Sequence, residues 1–393
     1  MNVDVDKELF KMGIFYVPKL MPEYGVIVED RFLFFTNRNS NILVKYDIHK
    51  GNIVNIYYLP IGDVDASFLF SGIYNYGDKL FLIPRRANNI VIFDIKNECF
   101  RVIEENILSS YDKVAKLGEA MMDDNFLWIL SLQKKHILKL DMKQETIKEI
   151  SINIKCCTDK LVMPFLKNGC IYVTSGDERA GIKIDIDKEE ALLWENGANL
   201  GNVYICDDFV YSACIKEGLV SIQKRHLYKT VASAIYSSNS CEVGEHVDGW
   251  LYEKIDDRII IVPMYSEYIL IYDIKTGIIK KIDLFAVGDD YIYGQKKRPH
   301  IATSICRYNE GLFILMSGRY EICYINNDIQ IDKIWSFDID EYVIAKNECK
   351  RHYVYERKGQ ELSCLKKIST LFERVQNEEL EYGTNIHKYI MGC

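Results

Sequence analysis

Tyr76-Gly-Asp-Lys-Leu-Phe-Leu-Ile-Pro84, followed after a short polar loop by Asn89-Ile-Val-Ile-Phe-Asp-Ile-Lys96, reads as two strands, and the same phrase returns along the chain. Asp256-Asp-Arg-Ile-Ile-Ile-Val-Pro263 with Tyr268-Ile-Leu-Ile-Tyr-Asp-Ile-Lys275 is a near copy, and Glu29-Asp-Arg-Phe-Leu-Phe-Phe-Thr36 with Ile42-Leu-Val-Lys-Tyr-Asp-Ile48 is a third. The shared aspartate falls at Asp47, Asp94, Asp141, Asp185 and Asp273, at spacings of 47, 47, 44 and 88 residues, the last being twice 44. The skipped member lies midway, at Gly218-Leu-Val-Ser-Ile-Gln223, with Ser221 in place of the aspartate. A degenerate seventh unit follows at Leu312-Phe-Ile-Leu-Met316 and Ile322-Cys-Tyr-Ile325. A unit of this length repeated seven times points to a repeat architecture.

Each unit has the same internal order. A moderately polar strand reaches a turn (Asp30, Gly77-Asp78, Asp123-Asp124, Asn168-Gly169, Asp207-Asp208, Asp256-Asp257, Glu310-Gly311), and a strongly apolar strand such as Phe126-Leu-Trp-Ile-Leu130 follows. A polar loop leads to the strand that carries the aspartate, and a second turn opens a more polar fourth strand. Continuous apolar runs fit strands buried on both faces, and turn residues at short spacing mark antiparallel hairpins. An aspartate just before a turn accepts backbone N–H bonds, so its recurrence is read as structural. Four antiparallel strands per unit resemble a blade of the β-propeller superfamily, of the WD40, kelch and quinoprotein-like kind. The resemblance spans roughly residues 25–340, although the WD dipeptide and the Gly-Gly kelch doublet are missing. It implies an all-β, seven-bladed β-propeller of four-stranded antiparallel blades. Outside it lie a lead over 1–24, whose Ile14-Phe-Tyr-Val17 suits a closing strand, and a C-terminal tail over 341–393. Leu365, Ile368, Phe372 and Val375 recur at helical spacing, which predicts a helical tail packed on the propeller. A short helix is expected over Asn106 to Leu117.

Composition narrows the function. The formal net charge of −8 disfavours a phosphate backbone as partner, so nucleic acid is not expected. No apolar run reaches the roughly 18 residues of a membrane-spanning helix. The acidic start Met1-Asn-Val-Asp-Val-Asp-Lys-Glu8 lacks the order of a signal peptide. The 12 cysteines, Cys99, Cys170, Cys206, Cys214, Cys306 and Cys323 among them, sit mostly in apolar runs without a CxxC, as buried free thiols do. A cytoplasmic, reduced protein is the expectation, and the Lys-, Ile-, Asn- and Tyr-rich composition suits an AT-rich bacterial genome.

The resemblance also implies where a ligand is met: on the face formed by the starts of the first strands and the loops joining second to third strands. The loops contribute Arg38, Arg85, Arg86, Tyr265 and Arg319, and the strand starts contribute Ser71, Glu119, His246 and His300. Guanidinium forks suit carboxylate or phosphate, which makes Arg85, Arg86 and Arg319, with Tyr265, ligand-binding candidates. His246 and His300 stand at equivalent places in neighbouring units, where imidazole acts as acid, base or metal ligand, with Glu119 or Glu245 as a third group. No GxGxxG, Walker A, HExxH, GxSxG or EF-hand pattern occurs. A complete ring without a catalytic motif favours a non-catalytic recognition scaffold for a protein or a small anionic or glycan ligand. The alternative is a channel-mouth enzyme of lyase or isomerase type, resembling the streptogramin lyase kind of propeller, that uses His246 and His300 with a divalent metal. A third reading is a structural subunit assembled through its tail helix.

Overall fold

The computed structural model describes residue 20 and residues 22–38, 41–60, 69–103, 117–131, 136–151, 161–175, 181–194, 203–216, 219–228, 236–237, 241–242, 250–263, 268–284, 302–316 and 321–336. Most of the expected lead, the helix over 106–116 and the tail lie outside these residues; Pro22 to Tyr24, counted with the lead, belong to the first strand of the propeller, and Leu117 opens a strand instead of ending a helix.

Seven antiparallel sheets follow one another, each made of strands consecutive in sequence. Their inner strands are Pro22–Val28, Phe70–Tyr76, Leu117–Asp123, Leu161–Lys167, Val203–Cys206, Trp250–Ile255 and Ser304–Tyr308. They define blades one to seven of a β-propeller. Second strands such as Phe32–Asn37 and Gly311–Met316 are buried nearly throughout, whereas fourth strands such as Cys99–Ile103 alternate toward solvent. Apolar side chains from consecutive blades share each cluster. Phe34 and Leu43 of blade one meet Leu82 and Phe93 of blade two, and Ile260 and Ile269 of blade six meet Ile314 and Cys323 of blade seven. The core therefore lies between sheets, which is why the second strands read as unbroken apolar runs.

The recurrent aspartate does what its position requires. Asp47 Oδ1 accepts the N–H groups of His49 and Lys50 at 3.0 Å, Asp94 those of Lys96 and Asn97, Asp141 those of Lys143 and Gln144, and Asp273 those of Lys275 and Thr276. Each carboxylate pairs across the hairpin with the first residue of its second strand, as in Phe32 with Asp47 and Arg258 with Asp273. In blade five that partner is His226, opposite Phe209, while Ser221 faces Cys214 in mid-strand. Ser221 is thus not the aspartate's equivalent: His226 is, and its Nδ1 accepts the Tyr228 N–H at 3.2 Å as the carboxylates do elsewhere. Blade five is also the least regular, because its fourth position is filled by the short pairings Tyr236–Ser237 and Cys241–Glu242.

Four residues after the aspartate the backbone turns left-handed, at Gly51, Glu98, Glu145, Glu189 and Gly277. The three glutamates also reach back to the preceding blade. Lys45 meets Glu98 at 3.1 Å and Lys79 meets Glu145 at 2.7 Å; Arg101 also bonds Glu145, and Lys148 bonds Glu189. The ring closes where blade seven packs on blade one. Thr303 Oγ1 donates to the Pro22 carbonyl at 2.8 Å, and His49 Nε2 lies 3.0 Å from the Tyr308 hydroxyl. A Cβ on Gly25 would come within 3.0 Å of Leu315 and 3.2 Å of Cys306, so this close approach uses a residue without a side chain.

Candidate functional site at the strand-start pole

Inner strands of blades one to four begin with a register break, between Pro22 and Gly25, Phe70 and Gly72, Leu117 and Ala120, and Val162 and Pro164. Each break gives the inner strand one residue more than its partner, a bulge of the kind that re-aims side chains at the rim of a sheet. The residue just past the strand start is Ser71 in blade two and Gly118 in blade three, but Glu23 in blade one. Ser71 is buried and satisfied locally, its hydroxyl donating to the Ile83 carbonyl at 3.4 Å.

Glu23 is the charged exception. It is 3% exposed, and the guanidinium groups of Arg38, Arg85 and Arg86 act on it electrostatically. Burial pushes its carboxyl up to about 7 from 4.5, outweighing the downward pull of the three arginines. Chain geometry explains the meeting. Arg38 follows Asn37, which pairs with Pro22 at the start of blade one, and Arg85 follows Pro84, which pairs with Phe70 at the start of blade two. The second loop is pinned: the Leu69 carbonyl accepts the N–H groups of Arg85 at 2.8 Å and of Arg86 and Ala87 at 3.1 Å. Arg85 is half-buried and Arg86 exposed.

Arg85 and Arg86, neighbours in the chain, act on Glu23 together with Arg38. Glu119 lies on the inner strand of blade three, at the same pole. His246, His300, Glu245, Arg319 and Tyr265 lie outside the described residues. Tyr268 is buried in the cluster between blades five and six. Glu23 escaped the sequence reading because the repeat was taken to begin at residue 25. Its signal was a lone acid two residues before Gly25, opposite an Arg-bearing loop.

A second group of polar side chains occupies the inner strands of blades five to seven. Burial raises the carboxyl of Glu253 against the pull of Arg307, and the Tyr204 hydroxyl is raised by burial and by Glu253. The Cys206 thiol donates to Asp207 Oδ2 at 3.2 Å. Burial raises this thiol too, and it pushes those of Cys306 and Cys323 up to about 12, which suits core residues rather than nucleophiles. Cys99 departs from the expected buried pattern by standing exposed on an outer strand. Among the described residues, no three His, Cys, Asp or Glu side chains gather as metal ligands, and no helix is long and apolar enough to cross a membrane.

No protein-family model matches the chain, and no curated protein matches it. Solved structures do. A streptogramin B lyase is 16% identical over 83% of this chain and 86% of its own, with a TM-score of 0.41. The virginiamycin B lyase of Staphylococcus aureus is 14% identical over 82% and 88%, with a TM-score of 0.40. Hydrazine synthase of Kuenenia stuttgartiensis is 12% identical over 80% and 98%, with a TM-score of 0.53. At such identities the likeness is one of fold, and the chain is a seven-bladed β-propeller consistent with the WD40, kelch and quinoprotein-like superfamilies. The expectation of a non-catalytic scaffold is corrected here. It rested on a complete ring without a familiar motif, and the same ring carries a chain named for a synthase.

Proposed function

We propose that the chain is an enzyme of lyase or isomerase type working at the strand-start pole. Eliminating lyases and proton-shifting isomerases both move a proton off carbon and deliver one elsewhere, so they need a group that titrates near neutrality. The observation that carries the reading is Glu23, a buried acid at the strand-start pole on which Arg38, Arg85 and Arg86 act electrostatically. A carboxyl held near 7 serves as base when ionised and as acid when protonated. In this reading Glu23 is one proton-transfer group, and His246 and His300, which precede the inner strands of blades six and seven in sequence, supply the other.

The test incubates purified protein with a small-molecule extract in deuterated water and follows masses. The reading expects a compound that is isomerised or split with deuterium entering at carbon, and loss of that turnover in Glu23→Gln and in the His246→Ala/His300→Ala double variant. Absence of any consumed compound at stoichiometric protein, or full turnover in both variants, would sink it.

A further inference from the structure

The bulge at the start of blade one sets two inner-strand residues, Glu23 and Tyr24, against the single partner residue Thr36. Backbone groups that leave the ladder there need other partners, because a buried N–H or C=O is costly to leave unpaired. Two hydroxyls serve on either side of Glu23. Thr36 Oγ1 accepts the Tyr24 N–H at 3.3 Å, and Thr303 Oγ1, arriving from blade seven, donates to the Pro22 carbonyl at 2.8 Å. Both threonines are buried, at 1% and 7% exposure. Thr303 is itself fixed, its N–H donating to the Leu315 carbonyl at 2.9 Å. In blade two the residue equivalent to Glu23 is Ser71, whose hydroxyl stays within its own blade on the Ile83 carbonyl.

We propose that Thr303 is a positioning residue for Glu23: by holding the Pro22 carbonyl it fixes the peptide from which the Glu23 side chain departs and keeps that side chain in its buried place. This role rests on the reading of Glu23 as a proton-transfer group and adds the residue that sets it. The peptide joining Pro22 to Glu23 is planar and stiff, so a bond to its carbonyl oxygen also fixes the start of the next residue. Without the Thr303 hydroxyl, the buried carbonyl takes a water as its donor. That water stands one residue from Glu23 and eases ionisation of its carboxyl. The charged groups acting on Glu23 are Arg38 of its own blade and Arg85 and Arg86 of blade two, all untouched by the change. Blade seven meets this strand start through the neutral Thr303. Loss of the hydroxyl therefore moves the Glu23 carboxyl from about 7 back toward 4.5.

NMR of the full chain, isotope-labelled at the glutamate side-chain carboxyl carbons and followed from about pH 4 to about pH 9, reads the Glu23 titration directly. The Glu23→Gln variant identifies the signal. Thr303→Val keeps the shape and removes the hydroxyl, and it should lower the Glu23 midpoint by about one pH unit, a roughly tenfold stronger acid. Thr303→Ala should lower it at least as far, and it serves where the valine variant does not melt cooperatively. Thr303→Ser keeps the hydroxyl and should hold the midpoint where the unaltered protein has it. Ser71→Ala, which removes a hydroxyl bonded inside blade two, should do the same. A midpoint unmoved in Thr303→Val and Thr303→Ala, or moved equally in Thr303→Ser, overturns the positioning role and leaves the acid–base reading standing. A midpoint near 4.5 in the unaltered protein overturns both. Because the titration needs no turnover, a midpoint that shifts as expected supports the role of Thr303 even where no compound is consumed.

Discussion

Glu23→Gln keeps the shape of a buried side chain and removes its charge, so it isolates what ionising that carboxyl costs the fold. The carboxyl titrates near 4.5 in a solvated chain and near 7 in the folded protein. Below about pH 4.5 both states are protonated and the folded state bears no penalty. As pH rises through that value the unfolded chain ionises first, and stability is lost progressively until the folded carboxyl also ionises near 7. Above that the full difference is reached, about 3 kcal/mol at about 1.4 kcal/mol per pH unit. Urea unfolding of the two proteins side by side, at steps from about pH 4.5 to about pH 8.5, measures it through the transition midpoints. The two should nearly coincide at the acid end, and Glu23→Gln should gain by up to about 3 kcal/mol at the alkaline end. A gap that stays flat with pH would refute the burial account. A gap that opens in favour of the unaltered protein would mean that Arg38, Arg85 and Arg86 outweigh desolvation.

Phe93 packs against Tyr57 at 4.7 Å, Phe100 at 4.8 Å and Phe34 at 5.9 Å between ring centroids, so Phe93→Ala should cost about 3–5 kcal/mol in urea unfolding. Glu145 combines a left-handed backbone with ion pairs to Lys79 and Arg101 of the preceding blade. Glu145→Gly loses the pairs and the strain together and should sit within about 1 kcal/mol of the starting protein, whereas Glu145→Ala keeps the strain and should be lower than the glycine variant by about 1 kcal/mol. At the irregular blade, His226→Ala should lower the melting temperature, and His226→Asp, which supplies the acceptor used by five other blades, should not.

The architecture was legible because its determinants are local and repeated. An apolar run flanked by turns, then an aspartate before a second turn, specifies a hairpin within one unit, and Asp47, Asp94, Asp141 and Asp273 all perform the same backbone bonding. The reading failed at Ser221 because spacing alone assigned the register. Phe209 pairs with His226 instead, and imidazole nitrogen can accept the same N–H bond, so the chemistry persisted while the letter changed. The site was only half legible. Arg85 and Arg86 announce themselves as adjacent cations on a loop, but the buried acid between blades is a product of ring geometry. Nothing local to Glu23 tells that residues 38, 85 and 86 will act on it. That follows only once two strand starts are placed side by side at one end of the ring.

Every described sheet is finished by strands that follow one another in the chain, and the meeting of the seventh with the first rests on contacts such as Thr303 with Pro22 and Leu315 beside Gly25. A circle assembled this way has no privileged joint. New chain ends opened between Pro60 and Leu69 would unpair none of the described strands, and gaining or losing a module would alter the circumference without tearing a described sheet. The bore of such a ring, and with it the size of whatever it admits, is thus set by how many modules the chain carries and can change without redesign of any one of them.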